Sequence, residues 1–159
     1  MLKCPVGNEA DYAKKYQHFA TYENLWEVIC FQYQRMLRYG GEWHLEKRTL
    51  LPGYIFLSGE MENIGEMDAD MEGRRKSKLS LIPCEAPFWK TWCAKDNLIA
   101  MSRGIIKDGN LVVTSGPLMG YERLIRRIDR HKRTAEMEVS LAGEETRVTV
   151  GLEIYQKQI

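Results

Sequence analysis

Residues 111–133 read LVVTSGPLMGYERLIRRIDRHKR, and this stretch predicts two strands joined by a turn that brings backbone close to backbone. Leu111, Val112 and Val113 are an apolar run of the β-favouring kind. Ser115, Gly116 and Pro117 break it. Gly116 is free to take φ > 0, and Pro117 fixes its own φ while restricting the residue before it. Gly120 offers a second permissive position. Leu124, Ile125 and Ile128 resume the apolar pattern, interleaved with Arg123, Arg126, Arg127, Arg130, Lys132 and Arg133, against only Glu122 and Asp129. On a strand, Arg123 and Arg127 share a face and Arg126 lies opposite unless a bulge intervenes. Residues 129–133 read as a turn from which Arg130, Lys132 and Arg133 fan out, with His131 among them. Runs of this kind are commonly a solvated face. Guanidinium groups also bind phosphate bidentately, which makes the cluster a candidate nucleic-acid site.

Downstream, residues 134–140, 146–150 and 152–155 are strand-rich, punctuated by Gly143 and Gly151. With 111–114 and 123–128 they make five short strands, the pattern of a small barrel over residues 110–159. Residues 102–109 carry Gly104 and Gly109 without a helical period and read as a short linker.

Upstream, Leu2 to Val6 reads as a short strand, Gly7-Asn8 as a turn, and Glu9 to about Tyr22 as a helix capped by Asn8. Ala10, Ala13, Tyr16 and Phe19 or Ala20 give that helix one apolar face. Leu25 to Arg38 is β-favouring, Gly40-Gly41 predicts a hairpin turn, and residues 42–47 return. In LLPGYIFLSG, residues 50–59, Pro52-Gly53 bends the chain into a strand from Tyr54 to Leu57. Alternation puts Tyr54 and Phe56 on one face and Ile55 and Leu57 on the other. One apolar face suits a core; a second suits a partner or the same core. Residues 60–78 lack a regular apolar period, and their basic half, with Arg74, Arg75 and Lys76, is a solvated loop or a further anion-binding stretch. Leu79 to Ile82 reads as a strand, and Glu85-Ala86-Pro87 as a helix start followed by core aromatics.

A net charge of +1 offers no global field for nucleic acid, so only the local cluster points that way. No apolar run approaches the roughly 18 residues that span a bilayer, and no signal-peptide pattern is seen, so a cytoplasmic protein without membrane attachment is expected. Cys4, Cys30, Cys84 and Cys93 make neither a CxxC nor a zinc pattern and are expected as reduced thiols. His18, His44 and His131 stand apart from Ser or Cys partners. No catalytic residue, metal site or cofactor is expected.

The strand, glycine loop and strand around Gly116, Pro117 and Gly120 resemble the KOW motif of RNA-binding and transcription proteins. The order of helix, hairpin and Pro52-Gly53-Tyr54 strand, followed by that unit, resembles the NusG family of transcription elongation and antitermination factors. Gly7 and Glu9 match the turn and helix start after its first strand, and LAGEETRVTV, residues 141–150, matches its C-terminal domain. SGPL and the basic IRRIDRHKR segment look most like the LoaP subfamily. The resemblance implies an α+β domain over 1–101, an antiparallel sheet flanked by helices, then the linker 102–109 and an SH3-like β-barrel over 110–159. It implies a bacterial, monomeric, non-catalytic factor. The first domain would bind the β′ clamp helices of RNA polymerase, with Tyr54 and Phe56 as its apolar anchors. The second would bind structured RNA, or a protein such as Rho or a ribosomal small-subunit protein. A ribosomal or other structural RNA-binding KOW protein is the alternative.

Overall fold

The computed structural model describes residues 1–23, 26–59, 92–93 and 96–158. They belong to two compact units, each discontinuous in sequence: Met1–Cys30 with Leu51–Cys84, and Phe31–Leu50 with Glu85–Ile159.

In the first unit, β1 (Leu2–Lys3) precedes helix α1 (Glu9–Glu23), β2 (Trp26–Ile29) follows it, and β5 (Tyr54–Gly59) lies between the two strands, antiparallel to both. Leu2 pairs with Ile55 and Val28 with Leu57, so these four share one face of the sheet. Tyr12, Ala13 and Tyr16, at helical spacing, pack with them, and Leu2, Tyr16 and Ile55 form the buried centre. Ala10, expected on that helix face, is exposed.

The Pro52-Gly53 bend is a turn closed by the Tyr54 N–H donating to the Leu51 carbonyl at 3.2 Å, with Gly53 at φ 84°. Glu9 locks this turn to the helix start. Its carboxylate accepts the Gly53 N–H at 2.7 Å and the Gly7 N–H at 2.9 Å, while the Cys4 N–H donates to the Gly53 carbonyl at 2.9 Å. Glu9 is buried, and burial works to raise its pKa. The N–H groups of Gly53, of Glu9 itself and of Gly7 outweigh that and hold the carboxyl below its ordinary value.

In the second unit, β3 (Gln32–Tyr39) and β4 (Glu42–Thr49) form a hairpin through Gly40 and Gly41, both at positive φ. β6 (Leu98–Ile99) adds in parallel to the start of β3. The chain then enters a five-stranded sheet made of β7 (Ser102–Lys107), β8 (Asn110–Ser115), β9 (Ile125–Asp129), β10 (Thr134–Leu141) and β11 (Glu144–Gln158), in the order β8-β7-β11-β10-β9. β7 and β11 run parallel; the other ladders are antiparallel. One face buries Ala135, Met137, Val139, Val148, Val150 and Leu152.

Two glycines set close approaches here. Gly116 sits at φ 99°, and a Cβ there would come within 2.6 Å of the Ser102 Cα. The loop it opens is held by Leu118, fully buried, whose N–H donates to the Ser102 hydroxyl at 3.1 Å. Gly151 needs space rather than an unusual φ: a Cβ would overlap the Gln34 carbonyl and the Met101 sulfur, so its absence is what lets β3 lie against β11. The Gln34 side-chain carbonyl also accepts the Met101 N–H at 3.0 Å.

Several expectations are corrected. The α+β first domain, a sheet flanked by helices, is not what the chain forms. Among the described residues there are eleven strands in three sheets and a single α-helix. The hairpin expected to extend the first domain's sheet belongs with the C-terminal strands instead. The five C-terminal strands are present in one sheet, and β8 and β9, at its two ends, share no ladder among the described residues. Residues 102–109, read as a linker, are β7 and its turn into β8. The run 25–38 breaks at Cys30-Phe31, and its halves enter different sheets. Residues 146–150 and 152–155 are one strand, because Gly151 interrupts no ladder and only opens room. The expected strand at 79–82, the helix start at 85–87 and the basic stretch Arg74, Arg75 and Lys76 lie outside the described residues.

Candidate nucleic-acid interface

The basic cluster surrounds the turn between β9 and β10. Asp129 shapes this turn by accepting the Lys132 N–H at 2.9 Å, in the manner of an Asx turn. That bond is the main reason its carboxyl lies below the usual range, with desolvation opposing and the charges of Lys132 and His131 assisting. Arg133 closes the turn at φ 52°, a conformation unfavourable for a residue with a Cβ. Three contacts hold it there. Its carbonyl accepts the Leu152 N–H at 3.0 Å, its guanidinium lies 2.8 Å from Glu153, and the same group stacks 3.8 Å from the Trp43 ring centre.

A bulge offsets β9 against β10. Arg127 pairs with Glu136 and Ile125 with Met137, so Arg126 is the extra residue. Arg126 and Arg127 are therefore both exposed, although neighbours on a regular strand would point to opposite faces. Arg123 is not on the strand: it lies in a 3-10 turn, Glu122–Leu124.

The cations fall into two groups. Arg126 lies 3.4 Å from Glu138, Lys132 lies 3.8 Å from Asp129, and Arg133 is bound to Glu153, which Arg103 also holds at 3.0 Å. Arg123, Arg127 and Arg130 are exposed and carry no ion pair among the described residues.

Arg130, His131 and Arg133 line a cleft of about 560 Å³ together with Arg38, Trp43 and Glu153. Arg38 and Trp43 face each other in the β3–β4 register. The cleft thus joins the hairpin to a turn some ninety residues away in sequence. Sequence reasoning missed both hairpin residues. Gly151, within the otherwise continuous run VTVGLEIY, was the available signal that another backbone lies against that strand. The cleft brings together three guanidinium groups, an imidazole and an indole. Its carboxylate, Glu153, has both oxygens engaged by Arg103 and Arg133. With Arg133 held by Glu153 and Trp43, the groups left to suit phosphates are Arg38 and Arg130, and His131 adds a flat surface of the kind on which an unpaired base stacks.

Of Tyr54 and Phe56, the pair expected from the sequence to meet a polymerase, Tyr54 is half-buried and Phe56 is buried. Pro52 and Gly53 form the turn locked by Glu9, while Gly116, Pro117 and Gly120 belong to the loop over Ser102. Burial raises the thiol pKa of Cys4, with help from the charge of Glu9. It does the same for Cys30, with Glu9 and Cys4 adding, and for Cys93, pushed to about 12 with Asp96 adding. Among the described residues, no group of three or more His, Cys, Asp or Glu is placed to hold a metal ion, and no helix is long and apolar enough to cross a membrane. Compared with protein families and with curated proteins, the chain matches none of either.

Proposed function

We propose that the chain is an RNA-binding transcription factor of the elongation and antitermination type. In this reading the second unit binds structured RNA and the first contacts RNA polymerase. The observation that carries it is the cleft in which Arg38 and Arg130, without an ion pair among the described residues, stand beside Trp43 and His131, while Glu153 is engaged by Arg103 and Arg133. Ring surfaces beside guanidinium groups suit the loops of RNA, where bases are free to stack and phosphates are close together. The polymerase half of the proposal is supported by the sequence resemblance. With Phe56 buried, Tyr54 is the residue of that pair with surface to offer.

The test is a salt titration of a labelled RNA stem-loop against wild type and Arg38→Glu/Arg130→Glu. Both residues line the cleft, and neither carries an ion pair among the described residues, so the fold should survive. The double variant should bind at least tenfold more weakly, with a salt slope lower by roughly 0.7 for each phosphate it no longer engages. Equal affinities and slopes would remove the cleft from the function. A structural RNA-binding role, on the ribosome or elsewhere, is the second reading, and the burial of Phe56 favours it. Copurification with ribosomes rather than with polymerase would select it.

A further inference from the structure

We infer that a second, smaller cleft in the same unit takes one ribose-phosphate unit of the bound RNA and distinguishes RNA from DNA. The inference rests on the RNA-binding reading above and adds a site lined by different residues. This cleft, of about 220 Å³, is bordered by Arg35, Arg127, Asp129, Lys132, Glu136 and Thr149.

Its charges are unevenly engaged. Asp129 has both oxygens turned to Lys132, one to the backbone N–H and one to the ammonium. Arg35 lines the cleft with its Nε buried and, among the described residues, without an acceptor, and it forms no ion pair among them. Glu46, the acid directly across the ladder from Arg35, is bound to Arg48 at 2.8 Å instead. Arg127 and Glu136 are register partners on β9 and β10, yet they form no ion pair among the described residues. The cleft therefore presents two guanidinium groups and one carboxylate, none of them in an ion pair among the described residues, beside a threonine hydroxyl.

Two guanidinium groups suit the two non-bridging oxygens of a phosphodiester. The carboxylate opposes a bare phosphate, because like charges in one cleft repel. The conflict is resolved by a ligand that carries a hydrogen-bond donor next to its phosphate. Ribose does so: its 2′-hydroxyl neighbours the 3′-phosphate and donates to Glu136. A deoxyribose phosphate brings the charge without the donor and leaves Glu136 facing an anion. RNA is thus selected both by an attraction and by a repulsion against DNA.

The experiment uses the full chain and a fluorescein-labelled RNA stem-loop, its all-deoxy counterpart and a counterpart with 2′-O-methyl riboses in the loop. Wild type should bind the RNA tightest, and the 2′-O-methyl form, which cannot donate, should bind like DNA. Glu136→Ala should cut the RNA-to-DNA affinity ratio by about tenfold, the worth of one hydrogen bond to a charged group. Arg35→Met should weaken RNA and DNA alike. The 2′-O-methyl comparison needs no variant, so it decides the matter even if Glu136→Ala fails to fold. Equal wild-type affinity for RNA and its 2′-O-methyl form overturns the inference, as does an unchanged ratio in folded Glu136→Ala. In either case binding that still depends on Arg38 and Arg130 leaves the RNA-binding reading standing. No binding of any RNA by wild type overturns both.

Discussion

Two turns in this chain handle charge in opposite ways. At Pro52-Gly53 a single carboxylate, Glu9, is buried and occupied by the N–H groups of Gly53 and Gly7. At residues 130–133, several cations crowd one turn, and three of the cluster, Arg123, Arg127 and Arg130, stand exposed and without an ion pair among the described residues. The first arrangement fixes a conformation, because a buried charge is tolerable only when its hydrogen bonds are complete. The second leaves potential available to a ligand, while Asp129 and Arg133 separately hold the turn's shape. A charged residue therefore says little by itself; its partners decide whether it serves the fold or the surface.

The strongest way to break this contrast is Glu9→Ala. It strips two backbone donors of a buried ionised acceptor, and a loss of about 3 kcal/mol of stability is expected. Glu9→Gln should recover only part, since an amide accepts but carries no charge. The pH dependence has a definite sign. The folded pKa of Glu9 is lowered, so its contribution is present above the ordinary glutamate value and is lost as pH falls through the lower folded value. Wild-type stability, read from urea melts, should thus fall on acidification below the ordinary glutamate range, and Glu9→Ala should flatten that part of the curve. A variant as stable as wild type, with the same acid limb, would mean that Glu9 holds nothing.

Glycine substitutions test the second unit more finely. Gly116→Ala combines a positive φ with a collision against Ser102, and Gly151→Ala forces a methyl into the Gln34 carbonyl. Each should cost about 2 kcal/mol, within the range for overpacking. Gly120 also has a positive φ, but a Cβ there meets nothing within 4 Å. Gly120→Ala should cost about 1 kcal/mol, for conformation alone. Thermal melts that rank Gly120→Ala with or below the other two would sink the close-packing argument.

What was legible in the sequence was local. The Gly40-Gly41 hairpin, the Pro52-Gly53 bend, the helix from Glu9 and the turn at 129–133 all follow from residue chemistry within a few positions, and all are present. What escaped depends on partners far along the chain. Nothing near Cys30-Phe31 announces that β2 and β3 enter different sheets. Nothing near Arg133 announces that Trp43 and Glu153 have claimed it. Phe56 alternates correctly with Ile55, yet both are buried, because alternation assigns a side chain to a face and not to solvent. The candidate site was half visible: its turn was read from the arginines, and its hairpin wall was not.

The smallest expected effect separates two neighbours. Arg126 and Arg127 both reach the surface because of the bulge, but Arg126 is paired with Glu138 and Arg127 is not paired among the described residues. If engagement decides availability, Arg127→Gln should lower the salt slope of RNA binding by about 0.7, the value for one phosphate on a single strand. Arg126→Gln should lower it by less, since a phosphate must first displace Glu138. The Arg126–Glu138 pair is partly exposed and loosely spaced at 3.4 Å, so breaking it should change stability by under about 1 kcal/mol. Stability is therefore nearly constant across the two variants, and the slopes compare cleanly. Equal reductions in slope would show that the ion pair does not hold Arg126 back. The distinction drawn between the engaged and unengaged cations of this turn would then be one of geometry and not of function.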